Sequence, residues 1–496
     1  MRIIQSIVAV LLGLVITAGA QPTNQTSRVM SVQDCILLAL QHNLDVQIER
    51  YSPIIGQFNL NGAYGAYDPT FSMSAKENYR ASGGGFNSTA GFFVPANQNY
   101  DETYSSGLSG LLPSGLTYNL SGNMDRNSGS SFVGSNVVNR GFLYQPFAGI
   151  TLDQPLLKNF WIDASRQQIW VNKKTLKIDE LALRQQILTT VTLVEQAYYD
   201  LIFARENVKV QEKALELAER LLSENKKRVE VGALAPLDEK QSASQAAASR
   251  ADLLSAQNSL SMQQNVLKNL IADEYTVWHD VLIEPSQKLV PVPQQYNLQE
   301  SWRKGLTMRP DLQQLRVDLE RRDIILRYQR NQLFPQLDLV GSYGRSGLAT
   351  TLDPSLNDIR DERLPAYSYG AVLSFPLGNR TARNNARATK AAKEQALLQY
   401  KKLEQNILVQ IDDSVKLAQT DFERVGATRE ARIYAEAALD AEQKKLENGK
   451  STSYLVLLAQ RDLTTRSSDE IRALADYNKA LAQLALNEGT TLERNN

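Results

Sequence analysis

Residues 309–344 read RPDLQQLRVDLERRDIILRYQRNQLFPQLDLVGSYG. Up to Gln332 they continue an amphipathic helix that begins near Leu298. Past Pro335 the period changes from the helical repeat to two. In QLDLVGSYG, Leu337, Leu339 and Tyr343 share one face, while Gln336, Asp338 and Ser342 share the other. The alternation returns in YSYGAVLSF, residues 367–375, with Tyr367, Tyr369, Ala371, Leu373 and Phe375 on one side. Strands of this length, with aromatics near their ends, suit a bilayer crossing with the apolar side outward. Taken alone, such a pair fits a half-buried hairpin of a soluble domain better, because single barrel strands carry weak signals.

The rest of the chain repeats this plan. ALQHNLDV (39–46) falls on GLTMRPDL (305–312), with Leu40 on Leu306 and Asp45 on Asp311. GITLDQPL (149–156) falls on GAVLSFPL (370–377), sharing Gly, Leu, Pro and Leu. VEVGALAPLDEKQS (229–242) falls on LENGKSTSYLVLLA (446–459), with Gly232 on Gly449. Three landmarks in one order predict two structural repeats, residues 21–284 and 298–488, joined by a linker over 285–297 and followed by a tail over 489–496. The first repeat carries an insert over 80–144, rich in Gly, Ser and Asn. Its YSSGLSGLLPSGLTYNLSG has a hairpin pattern of its own. Strands of the first repeat are expected at 69–75, with its continuation, and at 146–154; the sequence leaves open which first-repeat segments cross a membrane.

Each repeat opens with a helix, over 31–62 or 298–332. After the strands comes a very long helical tract that turns at a Gly and returns. Residues 157–231 contain neither Gly nor Pro, enough for a rod of roughly 110 Å at ~1.5 Å per residue. Ile187, Val191, Val194, Tyr198 and Leu201 step by four and three, a coiled-coil seam. The second tract runs over 379–448. The return arms are expected over 237–284 and 450–487, with Ala-rich stretches such as SASQAAASRADLLSAQ that let helices approach closely.

Fifty-four basic residues balance 54 acidic ones, so neither nucleic acid nor an acidic tail is indicated. One Cys and two His, far apart, argue against a disulfide framework, a metal site and a cofactor. Cys35 is expected on the apolar face of the first helix with Val32, Leu37 and Leu38, and His42 as a polar residue at its end. Arg2, the apolar run from Ile3 to Thr17 and Ala18-Gly19-Ala20 read as a secretory signal over residues 1–20. Nothing resembles a catalytic constellation, so no enzyme is expected. Two or four strands cannot close a barrel, and open edges are not tolerated in lipid. Four strands from each of three chains would give a twelve-stranded barrel continued by a ring of helices.

The 309–344 stretch, LDQPLL (152–157), EQAYYDLIFARENV (195–208), VEVGAL and YLVLLAQRDL (454–463) together resemble the TolC-type outer-membrane efflux proteins, over essentially the whole chain. The resemblance implies an α+β membrane protein: a homotrimer whose β-barrel, four strands per chain, sits in outer-membrane lipid and continues as a long periplasmic α-helical barrel. It implies an exit duct for an inner-membrane pump, in tripartite efflux or type I secretion, joined through a periplasmic adaptor protein. The competing reading is an exported soluble coiled-coil scaffold or adaptor, which leaves the matched strand pairs unexplained.

The resemblance also supplies site expectations. The turns at Gly232 and Gly449 would form the periplasmic entrance, where Val231, Gly232, Ala233, Asn448, Gly449 and Lys450 would meet the adaptor. Similar proteins often place Asp where this chain has Leu458, and some also where it has Leu455. Here a ring of Leu455 and Leu458, with Tyr454 beside it, would close the pore by excluding water and not by charge; packing against the neighbouring helix pair is the alternative. Asp238 would latch the entrance against Lys450, although the comparable Arg of such proteins falls at Ser451.

Overall fold

The computed structural model describes residues 26–494 except 90, 95, 134 and 135; the signal reading of residues 1–20 lies outside them. In chain order the elements are β1 (Thr26–Met30), α1 (Val32–His42), α2 (Leu44–Tyr64), β2 (Thr70–Ser82), β3 (Gly85–Asn87), β4 (Phe92–Val94), β5 (Asn97–Leu111), β6 (Thr117–Val133), β7 (Asn136–Pro155), α3 (Ala164–Glu230), α4 (Pro236–Ile271), α5 (Tyr275–Trp278) and β8 (Val281–Pro285). The second half holds α6 (Leu298–Met308), α7 (Pro310–Asn331), β9 (Gln336–Ser346), α8 (Leu352–Arg360), β10 (Pro365–Ser374), α9 (Arg380–Glu447), α10 (Ser453–Glu488) and α11 (Thr491–Arg494).

The two halves share a helix pair, strands and a long helical hairpin in the same order, and differ in the elements between the strands and after the hairpin. The long helices have 67 and 68 residues and their return arms 36 each. At ~1.5 Å per residue the rods are about 100 Å long. Each arm covers the half of its rod next to the turn; the remaining halves pack against α2 and α7. The seam residues Val191, Val194, Tyr198 and Leu201 are fully buried, and Tyr198 donates to the Met30 carbonyl at 2.9 Å.

Several boundaries differ from the sequence expectation. The helix expected over 31–62 is two helices broken at Asn43, and that over 298–332 is two broken at Arg309. Both break residues have the same extended geometry, φ −63, ψ 124 and φ −62, ψ 122. Pro310 forces the second break, because a residue preceding Pro avoids the helical region. Asn43 makes the first by turning its side chain to cap Val46 N–H. The first long helix starts at Ala164, later than 157, where Asp163 accepts from Arg166 N–H at 2.7 Å. The first return arm ends at Ile271, well short of 284, because the chain beyond it forms β8, whose backbone bonds go to β1 in a parallel pair.

Cys35 is buried as expected, with Val32, Ile36 and Ala39 around it, but Leu37 points outward. Burial pushes its thiol up to about 12, so it behaves as a small apolar side chain. His42 ends α1 with Nδ1 3.1 Å from Asp273 Oδ2.

The largest correction concerns the sheet. Four strands per chain were expected; the main sheet has six, in the order β10-β9-β7-β6-β5-β2. The insert supplies the difference. Its hairpin β5–β6 lies between β2 and β7, so those two strands are not neighbours. The sequence showed a hairpin pattern in YSSGLSGLLPSGLTYNLSG, but pairing partners far along the chain decide where such a hairpin docks.

Candidate functional site

The first candidate region is the pair of hairpin turns. Both long helices end in the same way. Gly232 (φ 74) and Gly449 (φ 69) adopt the left-handed conformation that side-chain-bearing residues avoid. Ala233 N–H donates to the Arg228 carbonyl at 2.7 Å, and Lys450 N–H to the Lys445 carbonyl at 2.8 Å. These six-to-one bonds satisfy carbonyls the helix leaves free. Pro236 then opens α4, and Thr452 caps α10 by accepting from Leu455 N–H.

Val231, Gly232, Ala233, Asn448, Gly449 and Lys450 are all exposed, Val231 at 78%. The apolar run after the second turn divides in two. Val456 and Leu457 are buried against Leu221, Leu439 and Leu446, which joins α10 to both long helices. Burial of each such side chain contributes roughly 1.5–3 kcal/mol. Tyr454, Leu455 and Leu458 point the other way and are 57%, 43% and 53% exposed. Three adjacent large apolar groups in water are costly unless something covers them or they line a constriction.

Asp238 and Lys450 are not ion-paired within the chain among the described residues. Lys450 stands on the exposed turn, while Ser451 donates to the Glu442 carboxylate, which Lys445 also contacts at 3.0 Å. Hydrogen bonds from Ser451 and Lys445 hold the Glu442 carboxyl below its usual range. The two hairpins are joined instead by a neutral, buried chain that sequence reasoning missed. Ser453 Oγ donates to Asn225 Oδ1 at 3.0 Å, Asn225 Nδ2 donates to Ser242 Oγ at 2.6 Å, and Ser242 Oγ donates to the Asp238 carbonyl at 2.9 Å. Asn225 and Ser242 are 0% exposed. A lone Asn in the charged run SENKKR carries no signal of this.

The second region is the six-stranded sheet. Among the described residues no helix is long and apolar enough to cross a membrane. The sheet, by contrast, has two chemically opposite faces. Cross-strand pairing aligns Phe71, Leu108, Leu120, Ile150, Tyr343 and Tyr367 in one row, a residue from every strand. One residue along, on the opposite face, the row is Thr70, Ser109, Asn119, Thr151, Ser342 and Ser368. Phe71, Met73, Tyr104, Leu108, Leu120, Leu152, Leu339, Tyr343, Tyr367 and Leu373 are all exposed. Toward the ends away from the helices, the apolar side gives way to Glu77, Glu102, Arg126 and Arg345. There Arg126 binds Glu102 at 3.1 Å and lies 3.8 Å from the centre of the Phe142 ring.

Comparison with known proteins agrees with this geometry. The family model described as outer membrane efflux protein matches residues 103–273 and 303–490. Among solved structures, the CmeC outer membrane channel of Campylobacter jejuni superimposes with a TM-score of 0.67 at 14% identity, covering 93% of this chain and 86% of its own. VceC from Vibrio cholerae gives 0.67 at 18%, covering 92% and 96%. The open state of the MtrE outer membrane channel of Neisseria gonorrhoeae gives 0.65 at 15%, covering 93% and 89%. At such identities the likeness is one of fold. No curated protein sequence matches. The family match takes in both halves of the chain and sets aside the soluble scaffold. The chain therefore belongs to the outer membrane efflux protein family, as a channel protein and not an enzyme.

Proposed function

We propose that three copies of this chain form the outer-membrane exit duct of a tripartite efflux or type I secretion assembly. The observation that carries this reading is the joining of a two-faced sheet to helical rods about 100 Å long. The sheet offers lipid an apolar side and water a polar one; the rods are long enough to reach deep into the periplasm. Transport is then passive within this protein. Cargo moves down a water-filled passage, and a partner pump supplies the energy. The exposed turns around Gly232 and Gly449 are the surface an adaptor protein would meet, with the pump beyond it.

At the same end, Leu455 and Leu458, flanked by Tyr454, form the proposed gate. In a three-fold arrangement their exposed side chains would cover one another and keep water out of the closed mouth. An Asp238–Lys450 latch, absent within one chain, would act between neighbouring copies.

Membrane fractionation tests the assembly. The protein is expected in the outer-membrane fraction as a trimer, and in-cell cross-linking through the turns should recover an adaptor and an inner-membrane pump. Recovery as a soluble periplasmic species, or cross-links to neither partner, would overturn the proposal.

A further inference from the structure

We infer that the insert hairpin β5–β6 is itself part of the membrane wall, so that the assembled barrel has eighteen strands, six from each of three copies. The inference rests on the outer-membrane trimer proposed above and adds the wall's composition and width.

Three features of the sheet converge on it. The first is continuity. Leu108 and Tyr104 of β5, and Tyr118, Leu120 and Met124 of β6, lie on the same side as Leu152 of β7, Tyr343 of β9 and Tyr367 of β10. A hairpin lying outside a barrel would need a side chosen for other neighbours, and its register would not continue the apolar rows of the flanking strands. Here the row from Phe71 through Leu108, Leu120, Ile150 and Tyr343 to Tyr367 runs unbroken through all six strands, and Tyr118 of β6 pairs with Leu152 of β7 on the same side, with polar Ser109, Asn119 and Ser121 on the reverse. A register slip of one residue would reverse that arrangement.

The second is reach. The turn between β5 and β6 lies against the start of α3: Gln154 Nε2 donates to the Ser114 carbonyl at 3.4 Å, and Gly115 packs close to Arg166. From there β5 and β6 run 15 and 17 residues to the far end of the sheet. At ~3.3 Å per residue that is roughly 50 Å, more than the ~30 Å hydrocarbon layer requires even for tilted strands.

The third is closure. All five junctions of the sheet are antiparallel. With an even number of strands the two edge strands, β2 and β10, run in opposite directions. Every residue of both is exposed, so both edges are free to pair. The β2 edge of one copy therefore meets the β10 edge of the next in the antiparallel sense already used throughout, and three copies close with no edge left in lipid. Barrel diameter grows roughly in proportion to strand number, so eighteen strands give about one and a half times the width of twelve. Barrels of that size keep a water-filled lumen, which leaves restriction of cargo to the helical end.

Site-directed spin labelling of the full-length protein in outer-membrane lipid tests this. Leu108→Cys, Leu120→Cys and Tyr343→Cys carry labels on the apolar side; Ser109→Cys, Asn119→Cys and Ser342→Cys carry them on the polar side. The unsubstituted protein, whose Cys35 is buried, is the control. The labels at 108 and 120 should collide preferentially with dissolved oxygen, as the label at 343 does, and those at 109 and 119 with an aqueous nickel chelate. Aqueous behaviour at 108 and 120 with a lipid signature at 343 would remove the hairpin from the wall. Aqueous behaviour at 343 as well would overturn the outer-membrane reading itself. Cysteine pairs scanned between β2 and β10 should yield covalent trimers; covalent species that stop at dimers would instead close twelve strands from two copies and overturn the count of eighteen.

Discussion

Cys35, Leu455 and Leu458 show how differently single residues are decided. Cys35 is ordinary in sequence and inert in structure, because burial raises its thiol from 9.0 to about 12. A raised value means that the folded state favours the neutral form. The associated stability is complete below pH 9 and is lost as pH climbs toward about 12. Cys35→Ser is expected to remove most of that loss, and in the native protein the thiol should resist maleimide at pH 8 while reacting on denaturation. For the gate, the combined Leu455→Ser and Leu458→Ser change should raise closed-state single-channel conductance several-fold; an unchanged value would leave these leucines a packing role only. Their neighbours Val456 and Leu457 belong to the hairpin core, so substitutions there should lower stability instead.

Helix ends and hairpins are the next scale. Around Gly232 and Gly449 no atom lies within 4 Å of an added Cβ. Gly232→Ala and Gly449→Ala therefore act through backbone strain alone, about 1–2 kcal/mol. Amide exchange in the last turns of α3 and α9 should accelerate by roughly 5- to 30-fold, with the rest of each rod unchanged. The clasp through Asn225 makes a separate prediction. Asn225→Ala leaves the Ser242 and Ser453 hydroxyls without their buried partner, a loss of about 1–3 kcal/mol, and should make the closed channel leakier. Because the clasp carries no charge, closed-state conductance, corrected for bulk conductivity, should hold steady from 0.1 to 1 M salt. A rise with salt would point to ion pairs between copies, since screening shortens to ~3 Å at 1 M.

For the whole molecule, the proposed trimer ties these parts together. If Asp238 latches against Lys450 of a neighbouring copy, each pair contributes at most about 1 kcal/mol, yet three acting on one entrance bias its closed state together. Asp238→Ala should then increase the permeability of intact cells to large antibiotics, and Lys450→Ala should do the same. An effect of Asn225→Ala without either of these would assign closure to the neutral clasp.

The sequence by itself determined the duplicated plan, the positions of both Gly turns, the coiled-coil seam and the period-two strands of the second repeat. The turns, the seam and the strands are local, each written in a few consecutive residues, and the duplication shows when such stretches are compared along the chain. The family resemblance added the outer-membrane channel. Only the tertiary structure decided that the insert joins the sheet as two further strands, since strand order depends on partners tens or hundreds of residues away. It also decided that Asn225, 228 residues from Ser453, ties the hairpins together. Burial, too, is a property of what surrounds a residue, which is why Val456 and Leu458, alike in sequence, face opposite ways.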